Sequence, residues 1–230
     1  MPFPFLDLNI AFDVMSGIVA LLVSYYAFHY NRLIENQTLK FISLGFMLLG
    51  IGLLAESSVQ TLVVYGFGDI VTERVLAIGT TAIYNFLEVT AYFVFALGYI
   101  RAAFTTQTKE TALTGTMVAS LIPLAIAPGN ARLHEMFLLT REISLVSTVL
   151  SIVFLSMVVF QGVLVYAQSR NRLALLVLMS FGLILISNGL AFGWSIFSIV
   201  YWYLLSTAVQ FAGFLSLLLF ILWRGRIGST

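Results

Sequence analysis

Long apolar runs separated by short polar or charged breaks extend along almost the whole of this chain. A helix needs about 20 apolar residues to cross ~30 Å of hydrocarbon. Read between the breaks, the runs predict seven spans at about 9–30, 39–64, 78–100, 111–127, 143–167, 173–196 and 199–223. The fourth is the shortest, carries Pro123 and is closed by Pro128; no other span contains proline, so no other kink or break is signalled. The amphipathic segment 131–141 either lengthens the fifth helix or lies in the interface. The expected fold class is therefore all-α: a polytopic membrane protein, with residues 1–230 forming a single seven-helix bundle.

The third span departs from the apolar pattern. Thr81, Tyr84, Asn85, Glu88, Ala91 and Tyr92 recur at i, i+3/i+4 spacing and form one polar stripe on a helix. A carboxylate at membrane depth costs roughly 2.5–3.5 kcal/mol on insertion scales, so Glu88 is expected to face the bundle interior. Depth follows from the ~1.5 Å rise per helical residue. Glu56, counted from Lys40, and Asn188, counted from Arg172, both lie ~24 Å from one face. Glu88 and Gln210, on helices running the other way, lie ~20 Å from that same face. Asp13 falls near the outer boundary of the first span. Glu88, Glu56, Asn188, Gln210, Asn85, Tyr84 and Asp13 are thus the candidate ligand- or proton-binding residues, gathered in one half of the bundle. Most of the accompanying Ser, Thr and Gly positions read as close packing between helices. The alternative role for the two glutamates is structural: carboxyls hydrogen-bonded to Asn188, Gln210 or tyrosines. The other half looks dry, its polar side chains being mainly Gln161 and boundary tyrosines such as Tyr25, Tyr26 and Tyr99. That asymmetry predicts a cavity open outward and sealed inward.

Charge gives direction. Eight of the eleven Lys and Arg residues (Arg32, Lys40, Arg101, Lys109, Arg170, Arg172, Arg224, Arg226) fall on one side, and Arg74, Arg132 and Arg141 on the other. The basic side is cytoplasmic by the positive-inside rule, which places the N-terminus outside and the C-terminus in the cytoplasm of the cell (plasma) membrane. A 3+1+3 parallel repeat is suggested by Ser43-x-Gly45 with Gly52, matched by Ser180-x-Gly182 with Gly189. Such a duplication would relate spans one to three with spans five to seven.

Composition narrows the chemistry. With 60% hydrophobic and 9% charged residues and a mean hydropathy of +1.03, the chain is no soluble globular domain. Net charge is +1 with no basic tract, so nucleic acid is not expected as a partner; the lipid bilayer is. Cysteine is absent, which removes disulfides, thiolate metal sites and a cysteine nucleophile. Seven helices with an external N-terminus resemble the rhodopsin architecture in topology alone, and covalent retinal needs a lysine inside the bundle. Lys40 and Lys109 both lie in loops, so no retinal cofactor is expected. His29 and His134 sit on opposite sides, which excludes bis-His haem and a shared metal. No nucleophile lies beside a base, and no Gly-x-Ser-x-Gly or His-Glu-x-x-His occurs, so an enzyme is not expected.

Three functions fit these constraints. The first is a sensory or receptor-like seven-helix module with its polar cavity in the outer half. The second is a small secondary, proton-coupled transporter, and the third an accessory subunit of a larger membrane complex. A separate partner protein at the cytoplasmic or membrane face, or a homo-oligomer, would complete the first.

Overall fold

The computed structural model describes residues 4–34, 37–65, 70–106, 133–170, 172–197 and 200–227. They form six helices: α1 (Pro4–Ile34), α2 (Gln37–Tyr65), α3 (Ile70–Thr106), α4 (Leu133–Ser169), α5 (Arg172–Phe197) and α6 (Val200–Ile227). Among the described residues all regular structure is helical. Each helix is long and apolar enough to cross a membrane, over Asp7–Arg32, Thr38–Val63, Ile78–Arg101, Glu142–Gln168, Ala174–Phe197 and Tyr201–Trp223. These match six of the seven expected spans to within a few residues. The span expected at 111–127 lies outside the described residues, so the described helices number six rather than seven. Large apolar side chains such as Ile18, Ile51, Ile83, Val146, Phe160, Ile186 and Leu219 are exposed on the perimeter, as in a multi-pass membrane protein.

Local sequence sets the helix ends. Pro4 opens α1, a position where its missing N–H costs nothing. The backbone of 133–141 continues into α4, so this part of the amphipathic segment lengthens the helix. Arg170 then ends α4 with a left-handed φ of 46°, its N–H bonding the Tyr166 carbonyl at 2.8 Å. That geometry is a C-terminal cap that satisfies a carbonyl otherwise left over.

Among the described residues each helix touches the one before it and the one after it, and α6 closes back on α1. The result is a ring of six helices. Consecutive hairpins are antiparallel: Tyr65 bonds Asp7 at one end of the α1–α2 pair, while Ser24 and Ser43 bond each other farther along. Two seams are parallel instead. In one, Asn9 of α1 meets Tyr203 and Thr207 near the start of α6. In the other, Phe93 of α3 stacks near Phe154 of α4, with ring centroids 5.3 Å apart. Hence α1, α3, α4 and α6 run one way and α2 and α5 the other.

Small residues set how near the helices approach. A Cβ on Gly50 would come within 3.0 Å of the Gly17 carbonyl, so α1 and α2 meet backbone to backbone there. The glycines matched in the suggested repeat are not alike in setting. Gly45 faces the Phe95 ring and Gly52 faces Tyr84 and Leu87, whereas nothing lies within 4 Å of a Cβ built on Gly182 or Gly189. The matched serines differ too: Ser43 bonds Ser24 of α1, while Ser180 bonds Ser216 of α6.

Candidate functional site: a polar cavity inside the ring

The ring's axis is filled differently at its two ends. Where α2 and α5 begin and α3 ends, four phenylalanines converge from four helices. Phe46 lies 4.9 Å from Phe95, 5.5 Å from Phe214 and 6.4 Å from Phe181, centroid to centroid. All four are buried, and Tyr99 packs edge-on against Phe181. This is the closed end.

One to two turns beyond the phenylalanines, toward the starts of α1, α3, α4 and α6, lies a cavity of about 210 Å³. All six helices contribute to its wall. All seven residues singled out from sequence line it: Asp13, Glu56, Tyr84, Asn85, Glu88, Asn188 and Gln210. Their convergence has a local cause in helix periodicity. Thr81, Tyr84, Asn85 and Glu88 occupy one face of α3, and Ser187, Asn188, Ala191 and Ser195 one face of α5. Short side chains on α4 and α5 (Ser144, Thr148, Ser187, Ala191) leave the axis empty where Phe46 and Phe181 fill it below. Trp194 is both a wall of the cavity and partly exposed, so it stands at the rim, its ring 4.8 Å from that of Tyr203.

Each acidic side chain has a neutral neighbour. Asn9 Nδ2 donates to Asp13 Oδ2 at 2.9 Å, the Thr81 hydroxyl to Glu56 Oε1 at 3.2 Å and the Tyr92 hydroxyl to Glu88 Oε1 at 3.1 Å. Asp13, Glu56 and Glu88 are only 5–8% exposed, and no Lys, Arg or His is among the lining residues. Buried carboxylates need pairing or neutralisation, and the described wall supplies no positive group. Of the partners the structural alternative named, a tyrosine, Tyr92, bonds Glu88, whereas Asn188 donates to the Tyr92 hydroxyl at 3.3 Å and to the Ile184 carbonyl at 3.1 Å. Gln210 Nε2 and Asn85 Nδ2 are buried without any hydrogen-bond partner, as is Gln60 Oε1.

Several contributors escaped the sequence reading as site residues, among them Trp194, Asn9, Tyr203 and Thr207. Asn9 sits at the edge of the first span and ties Asp13 to α6 through Tyr203 and Thr207. Its i, i+4 spacing from Asp13 was the available signal. Tyr203 and Thr207 share a helical face with Gln210 and line the cavity with it. Among the described residues no group of three or more His, Cys, Asp and Glu is placed to hold a metal ion.

The fold and site together define a class: a ring of membrane-length helices around a buried, acidic, one-ended cavity. No family model, no curated protein and no solved structure matches the chain.

Proposed function

We propose that the protein is a sensory, receptor-like membrane module in which a small ligand occupies the polar cavity and changes the packing of the surrounding helices. The observation that carries this is the convergence of all six described helices on one cavity with an aromatic floor. A ligand held there contacts every wall of the ring at once. If it fits one arrangement of the helices better than another, it shifts the balance between them. No catalysis is proposed; output passes to a separate protein or a second copy at the closed end.

The same proposal includes seven crossings of the plasma membrane, with the cavity toward the outside. Support comes from the parallel α3–α4 seam: α3 finishes at the closed end and α4 starts at the cavity end, the arrangement that the span expected at 111–127 requires. Arg32, Lys40, Arg101, Arg170 and Arg172 fall at the closed end, which favours the cytoplasm there.

A proton-coupled carrier is the second reading, favoured by the order of the ring. α1–α3 and α4–α6 each run forward, back and forward, and meet along two parallel seams, as a parallel repeat would. Against it stand the unlike settings of the matched glycines and the aromatic floor, beyond which no polar path continues.

The cysteine-free chain makes the test direct. Spin labels are attached at Lys40→Cys and Gln168→Cys, both exposed at the closed end. Trp194 is kept as the sole tryptophan by Trp202→Phe and Trp223→Phe and is excited selectively over the tyrosines. Uncharged, cationic and anionic fragments are then added in turn. A fragment that changes Trp194 emission is expected to move the labels by about 1–2 Å. Emission changes with unmoved labels, together with fragment uptake into proteoliposomes, would replace the receptor by the carrier.

A further inference from the structure

We propose that the cavity takes a small organic cation that also carries a neutral hydrogen-bond acceptor. This rests on the cavity being a ligand site, and it names the ligand's chemistry from what the wall lacks.

Charge comes first. Asp13, Glu56 and Glu88 line one cavity whose described wall holds no basic side chain. An anion entering would meet three carboxyls and no positive charge, in a setting where such repulsion is poorly screened. A cation supplies the missing partner. The aromatic residues of the wall, Tyr84, Trp194 and Tyr203, suit the same guest, because ring faces attract ammonium groups.

A metal ion fits less well than an organic cation, since the acidic groups are not arranged as a metal cluster. Bare protons leave two further features unexplained. Asn85 and Gln210 are each only 6% exposed and line the cavity; neither amide donor has an acceptor in hydrogen-bonding geometry, and only Gln210 lies close to tyrosine hydroxyls, those of Tyr84 and Tyr92. A buried donor without an acceptor is costly, and a hydroxyl, carbonyl or ring nitrogen on the ligand would satisfy it. The space is the other feature. A dry cavity of about 150 Å³ holds benzene, so 210 Å³ admits roughly eight non-hydrogen atoms. Cationic head, neutral acceptor and compact body together describe a small amino alcohol or a heteroaromatic amine.

The experiment is calorimetric titration of the full chain in lipid nanodiscs at neutral pH with four probes of matched size. Pyridin-4-ylmethylamine has both features, pyridin-4-ylmethanol lacks the charge, benzylamine lacks the acceptor, and pyridine-4-carboxylate reverses the charge. The first is expected to bind saturably, the alcohol and benzylamine about tenfold or more weaker, and the carboxylate not at all. Glu88→Gln and Glu56→Gln should each weaken the amine about tenfold and leave the alcohol unchanged. Alcohol or carboxylate binding as tightly as the amine overturns the cationic assignment while leaving a ligand cavity in place. Benzylamine binding as tightly as the amine overturns the acceptor. Absence of heat from all four overturns the ligand site itself. Should either glutamine variant fail to yield helical, monodisperse protein, the order of the four probes on the unaltered chain decides alone.

Discussion

The two ends of the ring are built from the same six helices and solve the same problem in opposite ways. At the closed end, Phe46, Phe95, Phe181 and Phe214 reach the axis from four helices and fill it. At the cavity end the axis-facing positions are short or polar, and the space stays open. Helix ridges keep the backbones of a ring too far apart to close the centre themselves. Side-chain volume therefore decides whether the axis is packed or hollow. Packing four phenylalanines serves stability. Keeping three acids and two unbonded amides around a hole does not, which marks the cavity end as the part shaped by something other than folding.

Phe46→Ala tests the closed end and should have the largest effect on stability. It removes a fully buried ring that touches three others. Soluble cores lose about 3–5 kcal/mol on such a change, and the low end, about 3 kcal/mol, is expected here. The reason is that a helix separated in lipid keeps apolar surroundings, so only packing is lost. Unfolding titration in mixed micelles measures it. A loss below that of an exposed Phe86→Ala control would mean that the floor is not what holds the ring together.

A serine clamp allows the two ends to be compared with chemistry held constant. Near the closed end the Ser24 hydroxyl donates to the Ser43 carbonyl at 2.8 Å, and Ser43 returns the bond at 2.9 Å. At the cavity, Ser187 and Ser206 make the same exchange at 2.9 and 3.0 Å. Hydrogen bonds between membrane helices average about 0.6 kcal/mol, up to ~1.7. Double-mutant cycles of serine to alanine should therefore give about 1 kcal/mol of coupling at each clamp. Equal couplings would mean that the wall of the cavity is held as firmly as the packed end. A coupling near zero at Ser187–Ser206 alone would mark α5–α6 as the movable side.

How much of this could be read from the sequence depends on whether a feature is local. Six spans were visible because apolar run length is set by bilayer thickness. The depths of Glu56, Glu88, Asn188 and Gln210 were visible because helical rise is constant, and all four line one cavity. Pairing between helices was not visible. Asn188, Gln210 or tyrosines were the expected partners; Glu88 takes a tyrosine, Tyr92 of its own helix, and the choice among them turns on helix rotation that hydropathy does not record. The aromatic floor was hidden for a related reason. Twenty phenylalanines are scattered along the chain, and nothing local distinguishes the four that meet from Phe86 or Phe160 on the perimeter. The repeat failed to carry over to contacts because glycine and serine spacings recur readily in any closely packed membrane helix.

Gln210→Met should have the smallest effect on stability and the clearest meaning. The change keeps length and flexibility while removing an amide whose Nε2 bonds nothing in the protein. Since no protein–protein bond through that nitrogen is lost, stability should stay within about 1 kcal/mol of the parent, and removing a buried unpaired donor favours the variant. Affinity for the pyridine amine should nevertheless fall about tenfold, because the ligand's acceptor loses its donor. That combination, binding lost and stability kept, is the inverse of Phe46→Ala. A glutamine that instead proved to hold the helices together would lower stability by as much as a serine clamp does. In that case the division of the ring into a part for folding and a part for recognition would fail at Gln210, the cavity residue one helical turn from the packed floor.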